Sequence, residues 1–154
     1  MTPRLNLFAA PLSRLLQPLL DLSASVTASG LEPSLMELVK TRASQINGCG
    51  FCLHMHTRDA RKAGETEERL YLLDAWRESP LYSERERAAL AWTEALTLVA
   101  QTRAPDDDYQ ALRAQFTEEE QVKLTMLIVL INGWNRLNVG FRTVHPARAE
   151  RRAA

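Results

Sequence analysis

The chain has 154 residues, a length that suits one compact domain spanning residues 1–154. Nineteen Lys plus Arg balance nineteen Asp plus Glu, and 45% of the residues are hydrophobic, which excludes an intrinsically disordered chain. A net charge of zero supplies no basic field for phosphates, so we expect neither nucleic acid nor an anionic membrane as a partner. The one short basic run consists of Arg148, Arg151 and Arg152.

The leucine-rich N-terminal segment is not expected to be a signal peptide. Arg14, Gln17 and two prolines interrupt it, and no small-residue cleavage site follows an apolar run. The most apolar stretch, Leu124 to Ile131, is far shorter than the roughly 20 residues that cross a bilayer. We therefore expect a cytoplasmic protein without a membrane span. In that reducing compartment the two cysteines, Cys49 and Cys52, should serve catalysis, redox exchange or metal binding rather than a lasting disulfide.

The spacing of apolar residues, prolines and glycines predicts an all-α fold, since no run alternates apolar and polar residues as a strand does. A first helix is predicted over residues 12–28, with Pro11 near its start and Pro18 as a kink or break. A second is predicted over residues 33–47, where Asn47 and Gly48 stop it.

A third helix begins directly at the cysteines and is predicted over residues 49–63, ending at Gly64. A fourth starts at Glu65 or Thr66 and runs through Trp76. The third helix is the central one of the predicted fold, and its first turn carries both thiols.

Three further helices follow, each with a recognisable start. Ser83 with Glu86, and Thr117 with Glu120, match the capping box, in which each residue of the pair bonds the backbone of the other. Between them, three aspartates after Pro105 place negative charge where the helix dipole favours it. The sequence therefore predicts about seven helices.

The segment from Cys49 to Cys52 is a C-x-x-C motif, whose thiols would lie roughly 5–6 Å apart on one face of a helix that starts near Cys49. Such a pair can form and break a disulfide. The helix dipole lowers the pKa of a thiol near the N-terminus, which favours Cys49. His56 follows Cys52 by four residues and places a base on the same stripe, whereas His54 should face solvent or a partner chain.

Two other interpretations of these side chains stay open. Cys49, Cys52, His54 and His56 could be counted as zinc ligands, although one helix cannot wrap four ligands tetrahedrally around an ion. The cysteines could also be two small buried hydrophobic residues. Attachment of a c-type haem is not expected, because Leu53 rather than a histidine follows the second cysteine.

The segment from Glu37 to Gly64 resembles the alkylhydroperoxidase D family within the carboxymuconolactone decarboxylase-like superfamily. It combines a glutamate twelve residues before the first cysteine, the C-x-x-C motif, a histidine four residues after the second cysteine, and an Ala-Arg…Gly ending. Segments 73–80, 86–94 and 131–138 also look like the family's small single-domain members. The resemblance covers roughly residues 5–143.

The resemblance implies an all-α fold that assembles as a homotrimer or hexamer, with a peroxidase cycle on the two cysteines. Cys52 would attack the terminal oxygen of hydrogen peroxide or an organic hydroperoxide, and Cys49 would condense with the resulting sulfenic acid to form a disulfide. His56 would take the thiol proton and Glu37 would orient His56. An external dithiol, such as a lipoyl group or a thioredoxin-like protein, would reopen the disulfide, and no bound cofactor or metal is expected.

The sequence departs from the best-studied type of the family at one position, because Phe51 stands where that type has a relay histidine. Glu37 has a second interpretation, as the partner of Ser34 in a capping box, although Pro33 at the first helical position would free it.

Three residues of the last helix are assigned to the core or a subunit interface rather than to catalysis: Trp134, Asn135 and Asn138.

Peroxidase activity is the favoured function. One alternative is a non-enzymatic redox sensor or oligomeric scaffold whose disulfide changes assembly without turnover. A decarboxylase is a weaker alternative, since only the name of the superfamily suggests it.

Overall fold

The computed structural model describes residues 2–10 and 12–146. Within those residues every regular element is helical, which confirms the predicted fold class. Pro11 and the arginines at 148, 151 and 152 lie outside the described residues. The α-helices, α1 to α8, are Gln17–Thr27, Pro33–Ile46, Gly50–Lys62, Glu67–Leu72, Glu84–Thr97, Val99–Thr102, Asp106–Gln115 and Glu118–Phe141.

The first predicted helix is divided in the structure. A 3-10 helix over Leu12–Leu16 precedes α1, and Pro18 lies in the first turn of α1, where a missing N–H breaks no helical hydrogen bond. The break predicted at Pro18 is therefore present, and Pro18 lies at the start of the second of the two helices. The predicted fourth helix is also divided. Its first part is α4, and a 3-10 turn follows over Leu73–Ala75.

The described residues contain eight α-helices rather than seven, because the sequence does not predict α6. This helix has four residues, Val99–Thr102, and none of them is buried. One turn is too short to show the repeat of apolar residues from which a helix is recognised.

Helix α2 lies at the centre of the fold and packs against α3, α5 and α8. It begins with Pro33, whose ring favours the first helical position. Leu38, Val39 and Ala43 are completely buried, and so are the polar Thr41 and Ser44. Because this helix is enclosed on most sides, replacing Leu38 by Ala should cost about 2–5 kcal/mol of stability.

Helix α8 is the longest element and changes character along its length. Its first half contributes Leu124, Leu127, Ile128 and Ile131 to the hydrophobic core. Its second half continues the same buried stripe with three asparagines: Asn132, Asn135 and Asn138. No helix among the described residues is both long and apolar enough to cross a membrane.

Candidate active site

A tight turn between α2 and α3 places the cysteines. Asn47 ends α2, and Gly48 adopts φ of 63°, a left-handed conformation that favours glycine. The backbone N–H of Cys49 then donates to the carbonyl of Ser44 at 3.0 Å. Cys49 is the N-cap of α3 and Cys52 lies in its first turn, as the sequence predicted.

The two thiols are free, close together and almost inaccessible, each residue being 1% exposed. The sulfur of Cys49 accepts the backbone N–H of Cys52 at 3.4 Å. A hydrogen bond from the Cys52 thiol outweighs the effect of burial and lowers the pKa of Cys49 to about 7. The same hydrogen bond, together with burial and the nearby Cys49 charge, raises the pKa of Cys52. The direction agrees with the helix-dipole argument, which favoured Cys49 as the more acidic thiol.

Glu37 lies against His56, with its Oε2 at 2.8 Å from the His56 Nδ1, and its other oxygen accepts Lys40 at the same distance. Burial alone would raise the pKa of the Glu37 carboxyl, but the hydrogen bonds and charges of His56 and Lys40 outweigh it and the pKa is lowered. An ionised carboxylate only accepts, so Nδ1 carries the hydrogen, and in a neutral imidazole the free lone pair is then the one on Nε2. The capping interpretation of Glu37 is wrong, since Glu32 is the N-cap of α2.

Cys52 and His56 line one cavity of about 310 Å³, called here the Cys52 cavity. Its walls come from the N-terminal segment and from α1, α2, α3 and α8, and Lys40 is the residue that α2 contributes. They are mostly apolar and include Phe8, Leu20, Phe51, Met55, Leu130 and Trp134. A reactant in this cavity would lie against Cys52 and an imidazole in mostly apolar surroundings.

Cys49 lines a second cavity of about 610 Å³, called here the Cys49 cavity, with Arg4 and Arg142 on its walls. Phe51 and Asn138 line both cavities and separate them. The two sulfurs are therefore approached from different sides.

His54 takes no part in this arrangement. Its ring stacks on that of His145, with 4.5 Å between the ring centroids. A zinc ion held by both cysteines would need His54 and His56 to converge, whereas His56 is bonded to Glu37. Among the described residues no group of three or more His, Cys, Asp or Glu side chains is arranged to hold a metal ion.

Two residues that the sequence assigned to the core touch the thiols. Asn138 donates its Nδ2 to the Cys52 sulfur at 3.5 Å. Asn135 is fully buried and donates to Ser44 at 3.0 Å, and its hydrogen bond to Cys49 helps to lower the pKa of that thiol. Their burial was predicted and their contact with sulfur was not. Asparagines repeated on an otherwise apolar stripe were the available signal, because buried amides need partners.

Residues 13–95 match the model of the carboxymuconolactone decarboxylase family. The chain is 45% identical over 121 residues to the uncharacterized protein YdfG of Bacillus subtilis, covering 79% of this chain and 82% of that protein. It is 36% identical over 112 residues to the uncharacterized protein YnjA of Escherichia coli, covering 71% of this chain and 60% of that protein.

Solved structures share the fold. ATU0492 of Agrobacterium tumefaciens, described as a candidate antioxidant defence protein AhpD, is 46% identical with a TM-score of 0.92, covering 96% of this chain and 100% of that chain. A peroxidase-related protein of Silicibacter sp. TM1040 is 20% identical with a TM-score of 0.77, covering 88% and 72%. The debrominase Bmp8 is 19% identical with a TM-score of 0.76, covering 88% and 73%. At these lower identities the likeness concerns the fold alone.

Proposed function

Since the chain belongs to the carboxymuconolactone decarboxylase family and has the AhpD-like fold, we propose that it is a thiol-dependent peroxidase acting through Cys49 and Cys52. The observation that carries the proposal is the first turn of α3. Two free thiols lie there in hydrogen-bond contact, and His56, held by Glu37, lines the same cavity as Cys52. The description of the A. tumefaciens protein as a candidate antioxidant defence protein supports the proposal at 46% identity.

Cys52 is the proposed attacking residue, because its sulfur lines the cavity that also contains the base. The sulfur attacks the terminal oxygen of the hydroperoxide, an S–O bond forms and the O–O bond breaks. The thiol proton passes to Nε2 of His56 and then to the leaving oxygen, which departs as an alcohol, or as water from hydrogen peroxide. Cys52 becomes a sulfenic acid.

Cys49 is the proposed resolving residue. In the reduced protein its pKa is lowered to about 7, and the thiolate is the nucleophilic form. It attacks the sulfenic sulfur, the disulfide forms, and the hydroxide that leaves takes up a proton to become water. The two thiols together have then lost two electrons, which the two oxygens of the cleaved O–O bond have gained.

Glu37 acts through His56 in this proposal. By accepting from Nδ1 it keeps the lone pair of Nε2 available for the thiol proton. Phe51 provides a cavity wall where the best-studied family type has a relay histidine, so His56 carries the proton without a second imidazole.

An external dithiol must reopen the disulfide, and the Cys49 cavity offers it a route separate from that of the hydroperoxide. A lipoyl group or a thioredoxin-like protein is the proposed class of donor. Assembly as a homotrimer or hexamer remains a prediction from the family resemblance.

The test is consumption of tert-butyl hydroperoxide and of hydrogen peroxide by the reduced protein, with dihydrolipoamide as the recycling dithiol. We expect the Cys52→Ser variant to lose at least about 1000-fold in rate. The Cys49→Ser variant should complete one reaction and stop at the sulfenic acid. Full activity without Cys52, or no consumption by the wild type, would contradict the proposal. A single oxidation that changes oligomer size without turnover would instead support a redox sensor.

A further inference from the structure

The Cys49 cavity has positive charge on its walls. Arg4 and Arg142 both line it, and no aspartate or glutamate is among its described lining residues. Both arginines are exposed, and neither takes part in an ion pair between described residues. Because a guanidinium keeps its charge at every physiological pH, the cavity attracts an anion.

Two segments that meet at the end of α8 bring these arginines together. Arg142 is the residue that ends α8, and it has a left-handed backbone with φ of 55°. Arg4 is held against the same helix end, since its backbone N–H donates to the carbonyl of Phe141 at 2.9 Å and its guanidinium donates to the carbonyl of Gly140 at 3.0 Å. The position of Arg4 therefore depends on the fold rather than on the N-terminal segment alone.

The Cys52 cavity differs, because the cation on its wall is balanced. The ammonium of Lys40 lies 2.8 Å from an oxygen of Glu37, and most of the other lining residues are apolar. A neutral hydroperoxide suits these surroundings, whereas the two arginines of the Cys49 cavity favour a negatively charged molecule.

We propose that Arg4 and Arg142 form a carboxylate-binding site for the dithiol that reopens the disulfide between Cys49 and Cys52. The inference rests on the disulfide cycle of the proposed function and selects, among lipoyl-type donors, a small dithiol with a carboxylate of its own. Arginine binds carboxylates well, since its N–H groups match the two carboxylate oxygens in geometry and charge. A cavity of about 610 Å³ is within the range of small-molecule sites, roughly 300–1000 Å³.

Binding there directs the donor to Cys49, because Cys49 lines this cavity and Cys52 does not. One donor sulfur attacks the Cys49 sulfur and forms a mixed disulfide, while the bond to Cys52 breaks. Cys52 leaves as a thiolate and takes up the proton that the donor thiol has lost. The second donor sulfur then displaces Cys49. The donor ends as a cyclic disulfide, and the protein has regained two electrons and two protons.

The test compares dihydrolipoate with dihydrolipoamide, two dithiols that differ only in having a carboxylate or a neutral amide. The protein disulfide is formed with diamide, a thiol oxidant, so the test does not require peroxidase activity. Its reduction is followed by alkylating the released thiols with N-ethylmaleimide and measuring intact mass. We expect dihydrolipoate to react about fivefold faster at low salt, the rate equivalent of one favourable exposed ion pair. About 0.5 M KCl should reduce this difference by screening.

Variants of the two arginines identify the site. Arg4→Gln and Arg142→Gln should each weaken the preference for dihydrolipoate, and Arg142→Glu should reverse it. Since both side chains are exposed, their replacement should leave the fold intact. Arg113→Gln is the matched control, because it removes the same charge from an exposed position on α7 that lines neither cavity, and it should keep the wild-type preference.

Equal rates for the two dithiols in the wild type, or a preference that both arginine replacements leave unchanged, would overturn this site. So would a disulfide that neither dithiol reduces. Failure of diamide to join Cys49 and Cys52 would refute the disulfide cycle together with the site. A preference that depends on the arginines, in a protein that consumes no hydroperoxide, would support the site and refute the peroxidase function alone.

Discussion

Glu37 and Glu94 are both mostly buried carboxylates, with side chains 16% and 13% exposed. Burial raises the pKa of each carboxyl, and hydrogen bonds to neighbouring donors outweigh it, so both pKa values are lowered. Glu37 bonds His56 and Lys40 beside the cysteines. Glu94 bonds Arg42 and Trp76, each at 2.8 Å, and also Arg77.

The two clusters differ in whether the hydrogen-bond partners of the glutamate can gain or lose a proton. A guanidinium keeps its charge at every physiological pH, and an indole N–H only donates. The Glu94 cluster therefore has one protonation state, and it ties α2 and α5 to the segment after α4. An imidazole can both take up and give up a proton, and His56 lines the same cavity as Cys52. A buried, ionised glutamate thus indicates catalysis only when its partner can titrate.

The largest effect that would test this comparison is on stability. Replacing Glu94 with Gln removes the buried negative charge that balances Arg42, and breaking such a pair should lower the free energy of unfolding by about 3 kcal/mol. Urea denaturation measures this loss. The rate of Cys52 oxidation per folded molecule should not change, and a fall in that rate would show that the two clusters are not separate.

The next largest effect is expected at His56. The His56→Ala variant should oxidise Cys52 about 100-fold more slowly, because it lacks the base that takes the thiol proton. Stopped-flow measurement with tert-butyl hydroperoxide determines the rate. His54→Ala is the matched control on the same helix, since His54 stacks on His145 and does not line the Cys52 cavity. Similar rates in the two variants would exclude His56 as the base.

A smaller effect is expected when Glu37 is replaced with Gln. An amide can donate to Nδ1 and so favour the tautomer in which Nε2 carries the hydrogen, which should slow oxidation about tenfold. The free energy of unfolding measured in urea should fall by less than it does in the Glu94→Gln variant. If the Glu37→Gln variant instead lost stability but kept its oxidation rate, the role of Glu37 would be structural, like that of Glu94.

The smallest expected effect concerns pH. In the reduced protein, absorbance at 240 nm should show one thiolate appearing with a midpoint near pH 7, the pKa of Cys49. Because this pKa lies below that of an unfolded cysteine, ionisation of Cys49 should stabilise the reduced fold increasingly between pH 7 and 9, and the gain should be lost below pH 7. The raised pKa of Cys52 opposes it above pH 9.

The Cys49→Ser variant is the control for the pH effect. It should show no thiolate near pH 7, and its stability should rise less between pH 7 and 9 than that of the wild type. An unchanged midpoint in this variant would assign the acidic thiol to Cys52 instead.

Several parts of the fold were predictable because they depend on neighbours in the chain. Both predicted capping boxes, at Ser83 and at Thr117, start helices in the structure. α3 begins at the C-x-x-C motif. The break predicted at Pro18 is also present, because proline fits the first turn of a helix and α1 begins there.

The sequence by itself determined that Cys52 and His56 lie on one face of α3, because residues four apart in a helix are neighbours. Only the tertiary structure decided what meets that face. Asn138 reaches Cys52 across 86 residues of chain, and Arg42 reaches Glu94 across 52. Such contacts follow from how whole helices pack to bury their apolar faces, and no local pattern specifies which buried amide comes to lie against a thiol.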